Sequence, residues 1–270
     1  MNPYIELLRP NVCLLTVLGI VVGALVAGTA TITPLFASAV IAAFIICGAG
    51  DAINDYFDRS IDKINAPHRP IPSGRVTSQS TLAYFIVLSV VGITLAWFVS
   101  TAFLAIAVFN WLVAAVYPWK AKKIPIVKNV FVAYLAASSF LAAGFISGLT
   151  IPPTLIFLVT ISFIVTLGRE IVKDIEDIKG DLKAGVKTLP TLIGEKPAKV
   201  IAYILLAIAC VALLLPLYFQ LFSFYYLAGA ISAIVVCAFS ATRNAHKAQK
   251  MLKVAMYLAI LGFMIGALVK

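Results

Sequence analysis

Apolar runs of about 18 to 24 residues follow one another along almost the whole chain, and this spacing leaves few folds open. A hydrocarbon core of about 30 Å, crossed at about 1.5 Å per residue, needs about 20 apolar residues in helical form. The ten-residue alternation of a membrane barrel is absent, so the spans are expected to be helices. A hydrophobic fraction of 62% and a mean hydropathy of +1.05 agree, because soluble domains are apolar over about half their length. The expectation is an all-α polytopic membrane protein. Nine transmembrane helices are expected, near 12–30, 34–57, 79–99, 101–118, 128–148, 152–177, 198–219, 221–240 and 252–269.

Charge placement orients these spans. The turns after the first, third, fifth and seventh carry no charged residue, whereas basic residues gather in the turns after the even-numbered spans. By the positive-inside rule the N-terminus and the charged loops are cytoplasmic and the C-terminus is outside. The net charge of +10 is then an orientation signal and an attraction for anionic lipid. No basic domain interleaved with aromatics exists to bind nucleic acid, and no obligatory protein partner is implied. The first apolar run is too long for a cleaved signal and is expected to be a retained anchor. Cys13, Cys47, Cys210 and Cys237 lie in apolar spans without paired spacing and read as small buried hydrophobes.

Against this background the acids stand out. Asp51, Asp55, Asp58 and Asp62 recur as Glu170, Asp174, Asp177 and Asp181 with identical spacing, and the two sets hold eight of the eleven acids. Steps of four, three and four keep each set within an arc of about 60° on one helical face. Like charges one turn apart repel, more strongly as water thins out, so a cationic partner is required. The offset of 119 residues suggests parallel four-helix repeats, 1–120 and 121–240, followed by a ninth helix, within one membrane-embedded domain spanning 1–270.

Stacked carboxylates at a membrane surface suit Mg²⁺, a hard cation that takes oxygen ligands and substrate phosphates. Such a centre stabilises a departing diphosphate, while apolar helices accommodate a hydrocarbon tail. The loops 63–78 and 182–199 are basic and rich in Pro and Gly, and would bind the remaining phosphate oxygens. Candidate phosphate contacts are Arg69, Arg75, Lys120, Lys122, Lys123, Lys128 and Lys187, about one in three of which is expected to touch substrate while the rest set topology. The basic set Arg243, His246, Lys247, Lys250 and Lys253 offers a second phosphate site or simple orientation. His68 and His246 read as loop residues.

The motifs then resemble a known family. Residues Asn54 to Asp62 look like the NDxxDxxxD motif of the UbiA superfamily of intramembrane prenyltransferases, and Asp174 to Asp181 resembles its DxxDxxxD motif. His68 to Gly74 is similar to that family's RPIPSG stretch, and Tyr117 to Lys120 to its tyrosine and lysine motif. The resemblance implies a UbiA-like bundle of nine helices and Mg²⁺ as cofactor. It implies that Asn54, Asp55, Asp58 and Asp62 hold one ion and Asp174, Asp177 and Asp181 another, with the diphosphate between them. Lys173 stands where the first motif has Asn, so the two sites need not be equivalent. Within the superfamily, Gly168 to Asp177 and Lys187 to Pro190 resemble members of archaeal ether-lipid synthesis. That resemblance implies transfer of a geranylgeranyl group from its diphosphate to the glycerol hydroxyl of geranylgeranylglyceryl phosphate.

Asp58 and Asp177 are the firmest catalytic candidates. Asp51 and Glu170, one turn deeper, are candidates for taking the acceptor's proton; the alternative for Glu170 is a structural pair with Arg169 or Lys173. Tyr117 can stabilise developing allylic charge through its ring face, or act as an interfacial anchor. The partners implied are a prenyl diphosphate, a lipid-like acceptor and membrane lipid. Two other readings stay open: prenyl transfer to an aromatic acceptor, and cation-coupled transport, which would place acids nearer the bilayer midplane.

Overall fold

The computed structural model describes residues 2–119, 124–148, 151–183 and 185–269. Among the described residues the chain forms twelve helices and no strand: α1 (Pro3–Leu8), α2 (Pro10–Ala27), α3 (Pro34–Asn65), α4 (Ser78–Trp97), α5 (Thr101–Trp119), α6 (Val127–Ala143), α7 (Pro153–Lys183), α8 (Leu189–Ile193), α9 (Glu195–Ala212), α10 (Leu215–Tyr218), α11 (Tyr226–Ser240) and α12 (Ala245–Leu268). Among the described residues, six segments are long and apolar enough to cross a membrane: α2, Pro34–Ser60 of α3, α4, Pro153–Leu182 of α7, Glu195–Tyr218 across α9 and α10, and α12. Three shorter apolar helices, Thr101–Val116, Val127–Ala143 and Tyr226–Ser240, fill the other expected positions. The protein is an integral membrane protein. Its outer surface fits that setting, with Ile86, Val87 and Val90 of α4 and Ile204, Ile208 and Val211 of α9 all exposed.

Local chemistry sets the ends of these helices. Pro34 opens α3, where its missing N–H is no loss, and Phe36 donates its backbone N–H to the Thr33 hydroxyl at 3.1 Å. Thr77 caps α4 and Asn244 caps α12 in the same way. Because α12 starts at Ala245, His246 stands in its first turn and not in a loop. The seventh expected span breaks after Ala212, and Pro216 lies in the short helix that follows.

With 32 and 31 residues, α3 and α7 are about 48 and 46 Å long, well beyond a hydrocarbon core of about 30 Å. One end of each therefore extends past the apolar layer, and those ends carry the acids. Two apolar clusters hold the bundle together. One joins α2, α3, α5 and α6 through Ile20, Ala42, Ile46, Phe103 and Ala143; the other centres on α7, α9, α11 and α12 through Leu158, Leu206, Tyr226 and Phe263. The close approach of α11 and α12 is built on glycine: a Cβ on Gly229 of α11 would lie 2.4 Å from the Gly262 Cα of α12. Beside it, the buried Tyr226 hydroxyl donates to the Leu213 carbonyl at 2.9 Å and closes the turn after α9.

Candidate active site

A cavity of about 860 Å³ lies within a ring formed by α2, α3, α5, α6, α7, α9, α11 and α12. Most of its wall is apolar, with Leu15, Ile20, Phe103, Ile106, Leu158 and Phe263 among the lining side chains. The polar lining is concentrated in Arg9, Asp51, Asn54, Asp58, Arg69, Lys128, Arg169, Glu170, Lys173 and Lys253. Carboxylates and fixed cations thus share one chamber with an oily wall. A headgroup of high negative charge and a hydrocarbon tail have complementary places in it.

The first ladder is divided between two environments. Asp51, Asn54 and Asp58 of α3 line the cavity, and the Asn54 side-chain amide donates to Asp58 Oδ2 at 3.1 Å. Asp55 and Asp62, also buried, are engaged by arginines. Arg9, at the junction of α1 and α2, pairs with Asp55 and reaches Asp51 Oδ1 at 3.4 Å. Arg69, from the loop after α3, pairs with Asp62 at 2.6 Å and lies 3.5 Å from Asp55. Two guanidinium groups therefore bridge three carboxylates, which answers the repulsion along the stripe.

The Arg69 loop is itself tied down. Arg75 donates to both Glu6 oxygens of α1, at 2.7 and 3.1 Å, and to the His68 carbonyl at 2.6 Å. Hydrogen bonding from Arg75 holds the Glu6 carboxyl below its ordinary range. Helix α1 thus fastens the loop that delivers Arg69.

The second ladder repeats this arrangement in part. Asp174, 2% exposed, is paired with Lys128 Nζ and accepts from the Asn129 amide at 2.8 Å. Lys128 follows Arg9 by 119 residues, the same offset that relates Asp174 to Asp55. Both ion pairs therefore close across 46 residues of chain. Glu170 accepts from Arg169 at 2.8 Å, and Arg169 also donates to Gln249 of α12 at 3.1 Å. The structural pairing foreseen for Glu170 is thus present, with Arg169 as the partner. Asp177 is exposed on the protruding end of α7, and His246 of α12 lies 2.6 Å from Glu176.

The donor set fits a hard divalent cation. It consists of carboxylate and amide oxygens, and beside the second ladder Asn129 Oδ1 and Asp181 Oδ2 are buried without a hydrogen-bond partner. Buried polar atoms left unpaired are costly, and a cation or its bound water would satisfy them.

Of the residues singled out from the sequence, Asp51, Asn54, Asp58, Arg69, Lys128 and Glu170 come together on the cavity wall. Asp55, Asp62 and Asp174 stand behind it in ion pairs, while Asp177 and Lys187 are exposed. Lys120, Lys122, Lys123 and the Tyr117 side chain lie outside the described residues. Sequence reasoning missed Arg9 and Asn129 as members of the site. The 119-residue offset was the available signal for Arg9, since it carries that residue onto Lys128.

The UbiA prenyltransferase family profile matches residues 16–265. The chain is similar to the digeranylgeranylglyceryl phosphate synthase of Methanopyrus kandleri, 37% identical over 99% of this chain and 100% of that one. Its counterpart in Thermococcus kodakarensis is 36% identical, over 99% and 98%. A solved structure of digeranylgeranylglyceryl phosphate synthase superposes with a TM-score of 0.87 at 32% identity, covering 98% of this chain and 97% of that one. A UbiA homologue from Archaeoglobus fulgidus bound to GPP and Mg²⁺ shares the fold, with a TM-score of 0.75 at 19% identity over 97% and 99% of the chains.

Proposed function

The chain belongs to the UbiA prenyltransferase family, and from that footing we propose that it moves a geranylgeranyl group from geranylgeranyl diphosphate to the glycerol hydroxyl of geranylgeranylglyceryl phosphate. Full-length identity of 34–37% to synthases of that name supports this acceptor. The observation that carries the reading is the single chamber in which Asp51, Asn54, Asp58, Arg69 and Lys128 face an apolar wall.

In this reading Asn54, Asp55, Asp58 and Asp62 on α3, with Asp174, Asp177 and Asp181 on α7, hold Mg²⁺. When bound, Mg²⁺ supplies positive charge against the departing diphosphate. Arg69 and Lys128 orient the phosphate oxygens, with Lys187 as a further contact and Lys120 and Lys122 added by family resemblance alone. The apolar wall holds the tail and keeps water from the allylic carbon. The bond from that carbon to the diphosphate oxygen breaks, its electron pair leaves with diphosphate, and the glycerol oxygen bonds to the carbon. The hydroxyl proton passes to Asp51, whose Oδ2 has no other partner, whereas Glu170 is held by Arg169. Tyr117 is placed in this scheme by family resemblance alone.

The proposed setting is a cell membrane crossed nine times, with the N-terminus and ladder loops cytoplasmic and the C-terminus outside. The matching pairs Arg9–Asp55 and Lys128–Asp174 support two parallel repeats, 1–120 and 121–240, with α12 as the ninth span. The test is purified protein in lipid with labelled geranylgeranyl diphosphate, Mg²⁺ or chelator, and a panel of acceptors. Product is expected with the glycerol phosphate lipid and Mg²⁺ only. Product with an aromatic acceptor alone would overturn the acceptor, and no prenyl product at all would overturn the reaction.

A further inference from the structure

Cys47 and Asp51 are four residues apart on α3 and share one face. Across from them stands Cys13 of α2, fully buried. The two thiol sulfurs and a carboxylate oxygen of Asp51 all lie within 4.8 Å of one another. We propose that Cys13, Cys47 and Asp51 form a binding site for one thiophilic divalent cation of the zinc class, separate in chemistry from the Mg²⁺-suited ladders.

Four features of the cluster support the assignment. First, the spacing is close: tetrahedral zinc with two sulfurs at about 2.3 Å has them about 3.8 Å apart, so side-chain rotation brings the donors into range. Second, Asp51 is divided in a useful way. Its Oδ1 faces Arg9 at 3.4 Å, while its buried Oδ2 has no partner and is free to bind a cation without breaking that pair. Third, the charge is largely offset. Two thiolates and a carboxylate carry three negative charges, of which the divalent cation balances two, and Arg9, shared with Asp55, faces the third. Fourth, a supporting donor is in place, for the Thr16 hydroxyl donates to Cys47 Sγ at 3.3 Å.

Access is also present. Cys47, Asp51 and Thr16 line the cavity, so a cation arriving through it meets two ligands at the wall and the third just behind. The Cys13 thiol now donates to the Leu8 carbonyl at 3.0 Å. On binding, each thiol loses its proton to water and each sulfur forms one bond to the metal, with no change in oxidation state. Three protein ligands leave the fourth position of a tetrahedral site for water. Mg²⁺ does not compete, because it prefers oxygen and dehydrates reluctantly. A bound cation would bridge α2 to α3 and would occupy the Asp51 oxygen used in the proposed reaction.

The test uses Co²⁺ as a spectroscopic probe on the full-length protein, reduced and stripped of metal, in lipid with excess Mg²⁺. One equivalent of Co²⁺ is expected to give a near-ultraviolet thiolate-to-cobalt band that Zn²⁺ displaces. Cys13→Ala and Cys47→Ala should each abolish it, Asp51→Asn should weaken binding by on the order of 100-fold, and Cys210→Ala/Cys237→Ala should leave it intact. Should an alanine variant fail to fold, alkylation of wild-type Cys47 decides the matter: Zn²⁺ should slow it at least about tenfold. Absence of the band, its survival without Cys13 and Cys47, its dependence on Cys210 and Cys237, or no protection by Zn²⁺ would overturn the site. None of these readouts requires prenyl transfer, so failure here and failure of the proposed reaction are distinguishable.

Discussion

Rotation about the α3 axis separates carboxylates that look equivalent on paper. At about 100° per residue, with Asp51 as zero, Asn54 lies near −60° and Asp58 near −20°, while Asp62 and Asp55 lie near +20° and +40°. The negative edge lines the cavity and the positive edge meets Arg9 and Arg69. This division gives different expectations for neighbouring acids. Asp58→Asn should lower kcat by on the order of 100-fold or more with the fold intact, as assayed by product formation beside a thermal melt. Arg9→Met should instead act on stability, because it strips the half-buried Asp51 of its cation and leaves the buried Asp55 with only Arg69 at 3.5 Å, at a penalty of about 3 kcal/mol. A cycle adding Asp55→Asn should recover much of that loss; simple additivity of the two changes would contradict the pairing.

At the scale of elements, the short α1 acts on the site through the loop that follows α3. The Glu6 carboxyl is held below its ordinary range by Arg75, so the latch stabilises above the usual carboxylate pKa and weakens as pH falls through the lowered folded value. Limited proteolysis of loop 66–77 should therefore accelerate in acid for the wild type. Glu6→Gln should be cut faster at neutral pH and show little change across that window. The α11–α12 contact gives a second expectation. Gly229→Val forces a side chain against the Gly262 backbone, and should lower stability by about 1–3 kcal/mol while sparing the distant ladders. A loss of activity without loss of stability would show that this helix pair does more than pack.

For the whole molecule, ligand linkage offers a test that does not depend on turnover. If Mg²⁺ binds the folded ladders, it should raise the unfolding temperature in proportion to the logarithm of its concentration above Kd, and a chelator should remove the shift. Asp58→Asn should lose most of that shift. An unchanged response in that variant would move the cation elsewhere.

Much of this architecture was legible in the chain. Apolar run length fixed the positions of nine apolar helices, since the backbone must satisfy its hydrogen bonds internally in lipid. Ladder spacing placed each set of acids on one face, and the motifs carried the family. The boundaries were less legible: α12 begins seven residues earlier than expected because Asn244 caps a turn of polar residues that hydropathy leaves out. The partners were least legible of all. Periodicity says which residues share a face but not what that face meets, and Arg9, Lys128, Asn129 and Cys13 reach the acidic helices across dozens of residues of chain. The sequence by itself determined a helical membrane prenyltransferase with two acidic stripes. Only the tertiary structure decided which acids face the cavity, which are held by fixed cations, and which stands beside two thiols, because those outcomes depend on how separate helices pack.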